Sequence, residues 1–227
     1  MRLHLFIGLC LGSLTAVQAA VQKGTVEVAA LSGPSDLINA QKKRAPLTRG
    51  LAFQEGNRVE TGEKSTLELV LSNGSTIKVS PGTLMEVKTF SQVASPLIVP
   101  GKYQELSAEP TPSVVQLEVY HGKIEGEVRK LNVNTQYTIK TPVGMVRVRG
   151  TVFSVSYHED KAGRGFMNVA CTKGSVSIRS NTNNGSTVIG PGEDTQVVGT
   201  PDNVIPAPAK PADINHDGVP DVLVSQN

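Results

Sequence analysis

Thr66-Leu67-Glu68-Leu69-Val70-Leu71-Ser72 alternates apolar with polar side chains, Asn73-Gly74 interrupts it, and Ser75-Thr76-Ile77-Lys78-Val79-Ser80 alternates again. Period-two alternation on both sides of an Asn-Gly step is the signature of a β-hairpin. A two-residue loop would set Leu69 against Lys78 and Glu68 against Val79, mixing faces in a strand pair that needs one buried side. A three-residue loop, Ser72-Asn73-Gly74, with Gly74 left-handed as a bulge residue, instead pairs Leu69 with Ile77 and Leu67 with Val79. Glu68 then meets Lys78 on the opposite face. That solvent-facing pair contributes under about 1 kcal/mol, so the apolar pairs decide the register.

The same logic extends along the chain. A two-residue turn at His121-Gly122 sets Val119 opposite Ile124, and one at Lys173-Gly174 sets Cys171 opposite Val176 and Val169 opposite Ile178. Cys171 thereby falls on the apolar face, where a thiol without a neighbouring base behaves as a small inert hydrophobe. Further alternation runs through Gly24 to Val28, Tyr137 to Lys140, Thr151 to Tyr157, and Thr187 to Val198 around Gly190-Pro191-Gly192. Each stretch is too short for an ordinary helix. Between Thr89 and Ser113 the pattern lapses amid Pro96, Pro100, Pro110, Pro112 and Gly101-Lys102, which reads as an exposed insertion loop.

Composition agrees. Among 227 residues there are 29 valines, 18 threonines, 22 glycines and no tryptophan, a balance favouring strands and turns over helices. The expected fold is all-β, a single domain of short antiparallel strands and hairpins forming a sandwich or rolled barrel. The formal net charge is only +2, from 22 Lys+Arg against 20 Asp+Glu, which argues against broad electrostatic capture of nucleic acid or anionic lipid.

The ends read differently. Arg2 precedes an apolar run from Leu5 to Val17, and Val17-Gln18-Ala19 supplies a signal-peptidase pattern before Ala20. Residues 1–19 are thus expected to be a signal peptide, and the mature chain to be exported to the periplasm or cell surface with no membrane span. The run falls short of the roughly 20 apolar residues that cross hydrocarbon. Residues 20–199 form the expected β domain, and 200–212, with Pro201, Pro206, Pro208 and Pro211, an extended Pro/Ala-rich linker. An acidic tail, 213–227, follows.

Several of these segments resemble the FecR domain. The first half of the likeness is Gly56-Asn57-Arg58-Val59-Glu60-Thr61-Gly62-Glu63-Lys64-Ser65 with the Leu67 to Ser80 hairpin. The second comprises Leu117-Glu118-Val119-Tyr120-His121-Gly122-Lys123-Ile124, then Ile139-Lys140-Thr141-Pro142-Val143-Gly144, then Val148-Arg149-Gly150-Thr151-Val152-Phe153-Ser154-Val155. The Val169 to Ile178 segment and the Gly190-Pro191-Gly192-Glu193 turn complete a likeness spanning about residues 50–198. The inward face changes parity at Gly150, from Val146 and Val148 to Phe153, Val155 and Tyr157, and a bulge there would restore one continuous core.

The resemblance implies a non-catalytic extracytoplasmic binding module. In the best-known members this domain is similar to a periplasmic receiver that meets the signalling part of an outer-membrane transporter and is linked by a membrane helix to a cytoplasmic anti-sigma segment. Here at most four residues precede the apolar run, so the expectation is an exported binding or scaffolding unit with a protein or glycan partner in the envelope and no sigma-factor contact.

The tail carries one metal-type pattern. Asp213-Ile214-Asn215-His216-Asp217-Gly218-Val219-Pro220-Asp221 places oxygen side chains at loop positions 1, 3, 5 and 9, glycine at 6, and the Val219 carbonyl at 7. Asp213, Asn215, Asp217, Val219 and Asp221 are therefore the expected ligands of a weak Ca2+ site. The loop resembles those of dockerins and thrombospondin type 3 repeats. It also motivates a second reading, a structural component of an extracellular layer with a calcium-responsive anchoring tail. Position 12 is Val224, not the bidentate Glu of a full EF-hand.

Two other groups stand out. Arg147 and Arg149 share one strand face, with Lys140, Arg129 and Lys130 nearby in sequence, and read as a solvated strand face or a small anion-binding patch. His158-Glu159-Asp160 ahead of Lys161-Ala162-Gly163-Arg164-Gly165 reads as a polar hairpin end. No catalytic residue is expected, because the mature histidines and the inward Cys171 are not spaced as a triad or zinc site.

Overall fold

The computed structural model describes residues 20–182 and 185–201. The expected signal peptide, the expected linker beyond Pro201 and the expected calcium ligands Asp213, Asn215, Asp217, Val219 and Asp221 lie outside the described residues. Within them the regular structure is β, apart from one 3-10 turn at Tyr103–Glu105. The first half supplies β1 (Val21–Lys23), β2 (Val26–Ser32), β3 (Ser35–Ile38), β4 (Arg44–Pro46), β5 (Ala52–Phe53), β6 (Asn57–Thr61), β7 (Thr66–Leu71), β8 (Thr76–Val79) and β9 (Leu84–Val93). The long β10 (Ser113–Glu127) follows. The second half supplies β11 (Gln136–Thr141), β12 (Gly144–Val148), β13 (Val152–Glu159), β14 (Gly165–Lys173), β15 (Val176–Ser180), β16 (Ser186–Ile189) and β17 (Glu193–Gly199). No helix among the described residues is long and apolar enough to cross a membrane.

The strands pair into two sheets. One runs β4-β3-β6-β9-β10-β11-β12-β15-β16, with β1 beside the far end of β9. The other runs β5-β2-β7-β8-β10-β13-β14-β17. All of these ladders are antiparallel except β10 with β11. β10 belongs to both sheets, Ser113 to His121 lying in the first and Gly122 to Glu127 in the second.

The all-β expectation holds, and so does the deciding hairpin: Leu67 faces Val79, Glu68 faces Lys78 and Leu69 faces Ile77. The Leu71 amide donates to the Ser75 carbonyl at 2.9 Å, closing the three-residue loop, in which Gly74 takes a φ of 86°. Period-two alternation turns one face of each sheet inward. Rows such as Leu67, Val79, Ile124, Val155 and Val169 on the second sheet meet Val87, Leu117, Ile139, Val146 and Ile178 of the first in one buried core.

Two expected hairpins are corrected. His121-Gly122 is not a turn: Tyr120 is an extra residue between the Val119–Met85 and His121–Leu84 pairs, and the strand continues into the other sheet. The buried positions accordingly pass from odd (Val115, Leu117, Val119) to even (Ile124, Val128). Lys173-Gly174 likewise joins β14 of the second sheet to β15 of the first, so Cys171 faces Phe153 and Glu193 rather than Val176. The parity change at Gly150 is real, but its cause is the passage from β12 to β13 between sheets, not a bulge in one continuous strand.

These crossings recur in both halves. β6 and β9 lie in the first sheet while the β7–β8 hairpin between them lies in the second, and β12, β13–β14 and β15 repeat that course. In the first half the Gly82 amide donates to the Gly62 carbonyl at 3.1 Å where the two crossings touch. In the second, a Cβ on Gly174 would stand 2.7 Å from the Gly150 carbonyl oxygen.

The segment expected to be an exposed insertion loop, Thr89 to Ser113, is corrected only in part, since 94–112 holds no named strand and is largely exposed from 94 to 107. β9 continues through Phe90, fully buried, to Val93. The chain beyond it packs back through Tyr103, 4% exposed, and Glu109, 8% exposed.

Candidate functional site: a basic cleft

The second-half crossing builds a cleft. Val128 leaves β10 with its amide donating to the Thr151 carbonyl at 2.8 Å, which lays the segment after β10 alongside the crossing. The Glu109 amide donates to the Lys130 carbonyl at 3.1 Å. The Glu109 carboxylate then holds the next turn, accepting from the Asn132 amide at 2.7 Å and from the Thr135 hydroxyl. Its other oxygen accepts from the Ser113 hydroxyl, which in turn accepts from the Asn73 side-chain amide at 3.2 Å. A buried carboxylate with several donors is the arrangement that offsets its desolvation.

The resulting cleft has a volume of about 1020 Å³. Arg129, Lys130, Arg147, Arg149 and Lys173 line it, against a single carboxylate, Glu127. Among the described residues none of these five cations is ion-paired to a carboxylate. Two polar atoms in its wall are buried without a hydrogen-bond partner among the described residues, Arg129 Nε and Thr151 Oγ1. The terminal Arg129 Nη2 is engaged, donating to the Gln104 carbonyl at 3.3 Å. Arg147 and Arg149 also border a smaller depression of about 280 Å³ with Ser175, Ser177 and Val188.

Charge on the outer face of the first sheet is distributed unevenly. One row reads Arg58, Glu86, Glu118, Lys140, Met145 and Arg179 across β6, β9, β10, β11, β12 and β15. At its first-half end the charges compensate. Arg58 Nε donates to Glu86 Oε2 at 2.9 Å, Tyr120 donates to the same oxygen at 2.6 Å, and Lys88 Nζ lies 3.3 Å from Oε1. Burial pushes the Glu86 carboxyl up, but the Tyr120 and Arg58 hydrogen bonds and the Lys88 charge outweigh it and hold the group below its usual range. Burial first, then hydrogen bonds to Glu86 and Glu118, push the Tyr120 phenol well above its usual value. The second-half end carries cations.

Of the residues singled out from sequence, Arg129, Lys130, Arg147 and Arg149 come together in the cleft, while Lys140 stands one strand away beside Met145. Lys173, Thr151 and the Glu109 anchor were missed. The parity change at Gly150 was the available signal for Thr151, since it marks where backbone leaves one sheet and opens a gap. Cys171 is buried at 2% exposure, as expected, with its thiol donating to the Lys173 carbonyl at 3.5 Å and pushed up by burial. His158 stacks on Phe166 with ring centroids 5.1 Å apart. Cys171 pairs with Phe153 and His158 with Phe166, which places them about 17 Å apart along the ladder at strand rise. The polar end of that hairpin is as expected, Asp160 accepting from the Ala162 and Arg164 amides at 2.8 and 2.9 Å.

No curated protein matches the chain. Two solved structures of a candidate anti-sigma factor from Parabacteroides distasonis are similar at low identity. One shares 18% identity over 62% of this chain and 54% of its own, with a TM-score of 0.45. The other shares 17% over the same fractions, with a TM-score of 0.44. The chain thus spans about half the length of the solved structures it matches. The FecR protein family matches residues 57–177, a span that opens with β6, crosses between the sheets in both halves, takes in the shared β10 and closes within β15 beyond the basic cleft. That match covers more than half of the 227 residues, and the chain therefore belongs to the FecR family.

Proposed function

We propose that this FecR-family chain is an exported, non-catalytic binding module of the cell envelope that relays an extracytoplasmic signal by receiving an anionic partner group in its basic cleft. The observation that carries the reading is five cations around one cleft against one carboxylate, none of the five ion-paired to a carboxylate among the described residues. Cations gathered without counterions repel one another, and an anionic partner relieves that repulsion. Family membership supports a relay role, and the leader-like residues 1–19 support export.

The test is crosslinking in intact envelope followed by capture of the full chain. The wild type is expected to retain a discrete partner that the double variant Arg147→Glu/Arg149→Glu loses while keeping its far-ultraviolet circular dichroism. Equal capture by both would remove the cleft from the reading.

A second reading, a structural component of an extracellular layer with a calcium-responsive tail, is favoured by the oxygen spacing at Asp213, Asn215, Asp217, Val219 and Asp221. Position 12 lacks a carboxylate, so the dissociation constant belongs in the range of roughly 0.1–1 mM seen in extracellular modules. Calcium titration of the full chain against an Asp213→Ala/Asp217→Ala variant tests it, and identical traces would end it.

A further inference from the structure

We infer that the cleft takes a tetrahedral oxyanion carrying several charges, a phosphate-type group rather than a carboxylate. The inference rests on the proposed role of the cleft as the binding site and adds the chemistry of what enters. Three features of the wall lead to it.

The cations arrive from separate segments. Arg129 and Lys130 come from the chain after β10, Arg147 from β12, Arg149 from the crossing and Lys173 from the end of β14. Donors converging from different elements match a ligand whose oxygens point in several directions. A planar carboxylate is served by one guanidinium fork.

The charge excess is large. Five cations face one carboxylate, Glu127, so a singly charged guest leaves most of the repulsion in place while a di- or trivalent one neutralises it. Phosphate groups carry that charge density near neutral pH.

Two donors are already desolvated. Arg129 Nε–H and the Thr151 hydroxyl are buried in the cleft wall without a hydrogen-bond partner among the described residues, and Thr151 is only 1% exposed. Buried polar groups are nearly always paired, and each of these atoms carries a hydrogen without an acceptor, which a small outward shift of the side chain would bring to a bound oxyanion. Asn132, Asn134 and Gln136 add amide groups at the rim. Such a group can arrive on a free polyphosphate or on the phosphomonoester headgroup of a lipid, and the experiment separates the two.

Sodium tripolyphosphate is titrated into the full chain by calorimetry, with citrate as the carboxylate control, and co-sedimentation is run with phosphatidic acid vesicles, whose phosphomonoester carries close to two charges, against phosphatidylcholine vesicles. Tripolyphosphate is expected to bind one to one, more tightly than citrate, and to weaken steeply with added salt. Arg147→Gln/Arg149→Gln should lower affinity about tenfold or more. Thr151→Val, which keeps shape and removes the hydroxyl, should lower it about threefold or more. Salt-sensitive sedimentation with phosphatidic acid that needs the same arginines assigns the headgroup as the source, and calorimetric binding without sedimentation assigns the free anion. Absence of binding to both probes, citrate binding as tightly as tripolyphosphate, or undiminished affinity in the arginine variant overturns the inference. Because these probes need no partner protein, their failure alongside cleft-dependent partner capture rejects the phosphate chemistry alone, whereas loss of cleft-dependent capture rejects the broader reading.

Discussion

Thr83 and Lys123 hold each other across the kink of β10: the Lys123 amide donates to Thr83 Oγ1 at 3.0 Å, and the Thr83 hydroxyl donates to the Lys123 carbonyl at 3.3 Å. The approach requires glycine at the preceding position. A Cβ on Gly122 would lie 2.3 Å from Thr83 Oγ1 and 2.6 Å from its Cα, and Gly122 has a φ of 91°. Gly122→Ala therefore adds a backbone clash to a left-handed penalty, for a loss of roughly 2–5 kcal/mol. Urea unfolding measures it, and a loss under about 1 kcal/mol would show that the kink can relax.

Glu109 is the anchor beneath the cleft. Glu109→Ala strands the Asn132 amide and the Thr135 and Ser113 hydroxyls that it now accepts from, a cost of about 2–4 kcal/mol. Hydrogen exchange should report faster opening at Asn132, and tripolyphosphate affinity should fall with it. Unchanged exchange at Asn132 would contradict the anchoring role.

The acid side of stability should depend on Glu86. Its folded carboxyl is held below the usual range against the opposing effect of burial. Its contribution is thus present above the ordinary carboxylate value of about 4.3 and is lost as pH falls through the folded value. Tyr120→Phe removes the 2.6 Å hydrogen bond to Glu86, which moves the folded value up and shrinks that contribution. Urea midpoints across the acid range should drop less steeply in the variant, and parallel curves would refute the assignment.

The alkaline side should depend on all four tyrosines. Burial raises Tyr103, Tyr120, Tyr137 and Tyr157, aided by hydrogen bonds to Glu86 and Glu118 at Tyr120 and to Glu159 at Tyr157, and by the Glu109 charge at Tyr137. Groups raised in the folded state contribute stability that is full below the unfolded value of about 10 and is lost as pH rises above it. Phenolate absorption should appear together with unfolding. Phenolate formation near pH 10 in a chain that keeps its native circular dichroism would overturn this.

Thiol chemistry checks the inward face. Cys171, 2% exposed and raised by burial, should react with a thiol reagent only after urea is added. Fast reaction in the native state would place it outside the core.

The hairpin at Leu67 to Val79 was legible because its evidence is local: an Asn-Gly break, two alternating flanks, and a register in which one pairing keeps both apolar rows together. The parity changes were legible too, at Gly150 as a reading and at Tyr120 in retrospect. Their meaning was not. A glycine between two alternating runs has the same signature whether the chain folds back on itself, as at Gly74, or passes from one sheet to the other, as at Gly122 and Gly174. The difference lies in partner strands that stand tens of residues away in the chain, about which alternation carries no information.

The candidate site divides along the same line. Arg147 and Arg149 were visible as a same-face pair because strand period alone places them so. Their union with Arg129, Lys130 and Lys173, and the burial of Thr151 beside them, follow from two crossings packing together and from Glu109 pinning the intervening turn. By itself, then, the sequence determined the strands, their inward faces and the membership suggested by its motifs, since side-chain alternation is a property of neighbouring residues. Tertiary structure alone decided which glycines turn and which cross, and gathered five cations around one gap, because pairing and desolvation are settled only when distant segments meet.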